Sequence, residues 1–136
     1  MLKTLQFGDK SVTFSTSFAW TLIYKSQFGR DALPILIPII RETANTKKKP
    51  DESELAMTFL ERLGFSGVVE ITWSAARLVD SNIPDPLTWV ASFGDDFEPL
   101  DVISDLFPDL ILSCFASKKS KAPIPTAKKA TTTTKK

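Results

Sequence analysis

The chain has 136 residues, 43% of them hydrophobic, with three Trp and ten Phe; this is enough apolar material for one packed domain and argues against disorder throughout. It has no histidine and one cysteine, Cys114, so an intrachain disulfide, histidine-based catalysis and a Cys/His zinc site are excluded. The net charge of +1 hides an asymmetry: residues 118–136 carry seven lysines and no acid, leaving ten basic and sixteen acidic side chains before them, a balance of −6.

The N-terminus alternates polar and apolar residues instead of opening on an export signal. Within residues 2–14, Leu5 and Phe7 alternate with polar neighbours on one arm and Val12 and Phe14 on the other, with Gly8-Asp9-Lys10 between them, which predicts a β-hairpin. A lone hairpin is marginal in water, so its apolar face must rest on helices. Thr16 or Ser17 is placed to cap a first helix that runs to Phe28 and stops at Gly29. Phe18, Ala19, Leu22 and Ile23 share one face of it, with Trp20, Tyr24 and Phe28 beside them.

After Arg30-Asp31 comes the apolar segment ALPILIPIIRET. Pro34 is tolerated in a first turn, but Pro38 lies one turn later and predicts a short or bent helix. The run Ile35–Ile40, broken by Pro38, is the longest apolar stretch and falls far below the roughly 20 residues of a membrane span. Residues 43–50, with Lys47-Lys48-Lys49, read as a solvated loop. Asp51, Glu52 and Glu54 then suit the positive end of a helix dipole, and this explains three clustered acids without a metal ion. Leu55, Ala56, Phe59, Leu60 and Leu63 repeat at helical spacing up to Gly64.

The stretch from Val68 to Phe93 reads as the centre of the fold. Val68, Ile71, Thr72, Ala75, Leu78 and Val79 form one stripe, and Val69, Trp73 and Ala76 widen it until only Glu70, Ser74, Arg77 and Ser81 remain as a polar row. A helix apolar over most of its circumference must be covered on several sides. Pro84-Asp85-Pro86 stops it and starts the next, with Asp85 as cap and Pro86 in the first helical position. Leu87, Trp89, Val90 and Phe93 supply a short apolar helix ending at Gly94, followed by a loop with Asp95, Asp96 and Glu98. Leu100, Ile103, Leu106 and Phe107, then Leu110, Ile111, Cys114 and Phe115, predict either one helix kinked at Pro108 or two in succession. Cys114, inside this apolar run, reads as a small buried side chain rather than a reactive thiol.

The expected fold is therefore mainly α (α+β): an N-terminal hairpin and a compact bundle of about five to six helices over residues 1–117. Residues 118–136, rich in Lys and Thr with Ile124 as the one bulky apolar side chain, are expected to form a disordered tail. The tail lacks the aromatics that usually interleave with bases, which disfavours nucleic acid as its partner.

No G-x-S-x-G, P-loop or G-x-G-x-x-G occurs, and Gly64-Phe65-Ser66-Gly67 reads as a loop between helices. Asp95-Asp96 are sequence neighbours, which are rarely arranged across a scissile bond. No catalytic, cofactor-binding or metal-binding residue is assigned, and the expectation is a non-enzyme.

The opening strands about Phe7-Gly8-Asp9-Lys10, the helix with Ile23-Tyr24-Lys25, and Gln27-Phe28-Gly29-Arg30-Asp31 resemble the short tail assembly chaperones of long, non-contractile-tailed bacteriophages and prophages of Gram-positive bacteria. The resemblance continues through the helix after the acidic linker, the Trp-containing helix with its Pro-Asp-Pro corner, and Leu87-Thr88-Trp89 up to Phe93, so that it spans most of residues 1–115. It implies a mostly helical domain that acts in the host cytoplasm, binds the tape-measure protein, keeps it soluble and helps recruit tail tube subunits. In many such phages a frameshift near the end of the gene adds a C-terminal domain. The matching positions are turns, caps and core aromatics, so no binding residue transfers. Pro34, Pro38 and the Lys/Thr tail depart from the pattern. Two other readings fit the same residues: a nucleic-acid-binding regulator using the basic tail, and a structural or completion subunit of the phage tail.

Overall fold

A computed structural model describes residues 1–44 and 52–115. The lysine run 47–49, Asp51 and the tail 118–136 lie outside the described residues. An antiparallel hairpin, β1 (Leu2–Phe7) and β2 (Lys10–Ser15), is followed by five helices: α1 (Trp20–Phe28), α2 (Leu33–Ala44), α3 (Glu52–Val79), α4 (Pro86–Ala91) and α5 (Pro99–Phe115). A single 3-10 turn over Gly94–Asp96 joins α4 to α5.

The hairpin pairs Leu5 with Val12 and Phe7 with Lys10, so the turn is Gly8-Asp9 alone and Lys10 belongs to the second strand. Alternation then sorts the two faces. Thr4 and Thr13 (2.9 Å) and Gln6 and Ser11 (2.6 Å) hydrogen-bond across the solvent face, while Phe7 and Phe14 are buried beneath it. Phe7 stacks on Phe97 at 5.6 Å and meets Phe93 at 4.8 Å; Phe14 meets Trp89 edge-on at 6.4 Å. The hairpin therefore rests on an aromatic cluster supplied by α4 and the turn after it. Both lysines on its inner face reach outward: Lys3 Nζ lies 3.0 Å from Asp109 Oδ2 on α5, and Lys10 Nζ donates to the Ser92 carbonyl at 2.9 Å.

The first two helices differ from the sequence expectation. The first helix starts at Trp20 rather than beside Thr16 or Ser17, after a turn in which Trp20 N–H bonds the Ser17 carbonyl at 3.1 Å. Its buried residues are Trp20 and Tyr24, whereas Phe18 and Leu22 are exposed. The wide aromatics win the core side because they cover more area, and Trp20 also places its indole N–H 3.3 Å from the Leu110 carbonyl. The second stretch is α2, which runs unbroken through Pro38 and includes Thr43 and Ala44, expected in the loop. Pro34 and Pro38 are both exposed, so the carbonyl that Pro38 leaves without an amide partner lies on the water side of the helix.

The helix α3 contacts β2, α1, α2, α4 and α5. It bends at Gly64, whose φ of 74° and ψ of 170° break the helical path for one residue. Helical geometry resumes at once, so Gly64-Phe65-Ser66-Gly67 is a corner on one residue and not a loop. Beyond it Val68 and every residue from Ile71 to Ala76 are buried. Ser74, part of the polar row by its spacing, is instead fully buried, and its hydroxyl donates to the Glu70 carbonyl at 2.8 Å, as Thr72 does to Val68 at 2.7 Å. These bonds satisfy the hydroxyls within their own helix. Val79, by contrast, is 41% exposed, as the helix ends there.

The corner after α3 is held by α3 itself. Trp73 Nε1 donates to the Pro84 carbonyl at 2.7 Å and Arg77 Nη1 to the Ile83 carbonyl at 3.3 Å. Asp85 caps α4 as expected, accepting from the Thr88 amide at 3.2 Å and its hydroxyl at 2.7 Å, with Pro86 following. These hydrogen bonds hold the Asp85 carboxyl below its usual pKa. Of the residues expected to line that helix, Trp89 is buried while Leu87 is 75% exposed. On the other side of α3, Arg30 donates to Glu70 Oε1 at 2.5 Å and to the Tyr24 hydroxyl at 3.1 Å, tying the end of α1 to α3.

Trp73 is 2% exposed and both packs and hydrogen-bonds. Trp73→Ala is expected to destabilise the fold by about 3–5 kcal/mol, read as a lowered midpoint in chemical denaturation. Gly8 is constrained twice: its φ is +66°, and a Cβ there would stand 2.2 Å from Asp96 Oδ2. Gly8→Ala should cost at least about 1–2 kcal/mol from the left-handed backbone alone. An Asp96→Ala background should relieve the remainder of the loss but not that part.

Candidate functional site

An open apolar groove lies where three helices fail to close completely. One wall is α5, through Ser104, Phe107, Pro108, Ile111 and Leu112. The opposite wall combines Ile40 and Thr43 of α2 with Leu55, Ala56 and Phe59 of α3. Phe59 and Phe107 form the floor, buried and edge-to-face at 6.0 Å. The groove holds about 260 Å³, below the roughly 300–1,000 Å³ usual for small-molecule pockets. Its size and open shape suit side chains entering from a partner surface better than an enclosed ligand.

Local sequence explains why the groove stays open. The α5 residues Val102, Ile103, Leu106, Phe107 and Leu110 are buried against α3. Apolar side chains continue past that face: Leu112 is 60% and Phe115 49% exposed, with Pro108 exposed one turn before Leu112. A helix that packs on one neighbour needs only one apolar stripe, and α5 carries more. The helix is continuous across Pro108, so of the two alternatives that the spacing allows, the single helix is the one observed. Proline has no N–H to give to the carbonyl four residues back, which here belongs to Ser104 on the groove wall. Leu112 also edges a second depression with Met1 and Phe18, extending the exposed apolar surface toward the hairpin.

Sequence reasoning names no binding residues, and the groove is what it misses. The signal present in the sequence is the excess arc of apolar residues on α5, which periodicity alone assigns to the core. The acids expected in the loop before Pro99 lie in that connection, Asp95 and Asp96 in its 3-10 turn and Glu98 just after it, and Asp96 and Glu98 line a polar cleft against the hairpin together with Asp101 and Asp105 of α5. Among the described residues no three of Cys, Asp and Glu converge to hold a metal ion. No helix among them is long and apolar enough to cross a membrane.

Cys114 lies near the C-terminal end of α5, half-buried, with its thiol 3.4 Å from the Leu110 carbonyl. Burial pushes the thiol above its ordinary pKa, with contacts to Ser113 and Trp20 acting in the opposite direction. The thiolate is the nucleophile, so a raised pKa lowers reactivity at neutral pH.

Comparison of the chain with protein-family models, with curated proteins and with solved structures gave no match.

The prediction from Cys114 is chemical. Alkylation by iodoacetamide near pH 7.5, followed by mass spectrometry, should be slower than for a free cysteine and should accelerate when the chain is unfolded in denaturant.

Proposed function

We propose that this chain is a tail assembly chaperone of a long, non-contractile-tailed phage or prophage, acting in the host cytoplasm to hold the tape-measure protein in solution. The observation that carries this reading is the apolar groove between α2, α3 and α5 on the outside of an otherwise complete core. A tape-measure protein is long and helical and exposes apolar stripes until the tail tube encloses it. A groove of this kind covers such a stripe by the helix-in-groove mode, in which an amphipathic helix lays its apolar face between the walls. The resemblance of the hairpin, the Arg30 region and the Pro-Asp-Pro corner to that chaperone family supports the same assignment. Recruitment of tail tube subunits, directly or through a longer frameshifted product, belongs to the proposed role.

Apolar contact is the source of affinity in this reading, so the complex should withstand moderate salt. Co-expression with the tape-measure protein of the same phage should move that partner from the insoluble to the soluble fraction. Leu112→Glu places a charge on an already exposed groove wall, and should abolish the rescue while leaving the melting temperature within a few degrees of the parent. Rescue that persists in Leu112→Glu would exclude the groove as the binding surface.

A further inference from the structure

The helix α5 ends at Phe115, three residues past Leu112 on the groove wall, and the chain continues from there. The sequence that follows is polar apart from Ala122-Pro123-Ile124-Pro125, in which Ile124 is the single bulky apolar side chain of residues 116–136. Pro123 and Pro125 fix their own φ and bias Ala122 and Ile124 toward extended geometry, so these four residues lose little conformational freedom on docking. Proline-rich segments of this kind dock on aromatic-lined grooves, and here the floor is Phe59 and Phe107, with Pro108 on the wall. Lys121 and Lys128 flank the segment and are attracted to a body whose charge balance is −6.

We infer that Ala122-Pro123-Ile124-Pro125 of the same chain occupies the groove in the free protein, with Ile124 against Phe59 and Phe107, and that a partner helix enters by displacing it. The displacement rests on the helix-binding reading above; the internal contact does not. The reach agrees. Phe107 lies eight residues before Phe115, about 12 Å back along α5 at 1.5 Å per residue. Ile124 lies nine residues beyond Phe115, a length that extends to about 30 Å and as a flexible chain has a root-mean-square span of roughly 15–18 Å. A linker whose span matches the gap holds its ligand at an effective concentration on the order of millimolar, so a contact of millimolar intrinsic affinity fills a large share of the grooves. An occupant that weak covers the apolar surface until a longer apolar stripe competes for it.

Amide NMR of the full chain reads the contact, comparing the parent with Ile124→Ser, which removes the apolar side chain and keeps every charge. Signals of Thr43, Phe59, Ile111 and Leu112 should shift in that variant, and Leu112→Glu should in turn shift those of Ala122 and Ile124. Shifts confined to the sequence neighbours of residue 124 would overturn the inference. Shifts that fade on about tenfold dilution would place the segment in the groove of a second copy and overturn it likewise, because an intramolecular contact is independent of concentration. A synthetic helical peptide with leucines at i, i+4 and i+7 then reads the competition by fluorescence anisotropy. Ile124→Ser should bind it about two- to fivefold more tightly than the parent, since its groove no longer starts partly filled. Equal affinity of parent and variant would exclude occupancy by the segment and leave helix binding in place. Failure of the peptide to bind either chain, with the NMR shifts present, would sink the helix-binding reading and leave the internal contact standing.

Discussion

The fold depends on covering the second arm of α3. From Ile71 to Ala76 every residue is buried, so the arm is stable only when hairpin, helices and corner all close on it. Its polar residues are adapted to this: Thr72 and Ser74 return their hydroxyls to carbonyls of the preceding turn, and the indole of Trp73 holds the Pro84 carbonyl. A buried polar group left without a partner costs about 1–3 kcal/mol, so each of these bonds removes a penalty that burial would otherwise impose.

Around that arm the elements are attached in different ways. The hairpin is joined by aromatic contact, with Phe7 and Phe14 seated among Trp89, Phe93 and Phe97. The helix α1 is joined by Phe28 against Trp73, edge-on at 5.9 Å, and by Arg30 between Tyr24 and Glu70. The Arg30 guanidinium also lies 5.5 Å from the Tyr24 ring and 5.9 Å from that of Phe28. This arrangement gives one exposed side chain both a packing and an electrostatic role. The helix α5 packs extensively on α3 while α2 touches α3 over a smaller area, and the gap left between α2 and α5 over α3 is the groove.

That gap links packing to the proposed activity. A chaperone for an apolar helix needs a surface that is apolar yet compatible with a folded, soluble domain. Restricting it to one groove meets both conditions by keeping the exposed apolar patch small. Pro108 of α5 contributes to the same wall without ending the helix.

The sequence by itself determined the order and type of the elements. Alternation specified the hairpin, Gly29 and the Pro84-Asp85-Pro86 corner marked helix ends, and the wide apolar arc about Trp73 identified the central helix. These are local effects, written in backbone preference and periodicity. Tertiary structure decided which of two apolar faces is buried, and so put Trp20 and Tyr24 inside while leaving Phe18 and Leu22 out. It also let helices pass through Pro38 and Pro108, because both prolines lie on the exposed side, and made Gly64 a corner rather than a loop. The groove was decided there too. Periodicity counts apolar residues on a helix face, whereas an opening depends on whether neighbouring helices approach closely enough to cover them, and that distance is a property of the assembled fold.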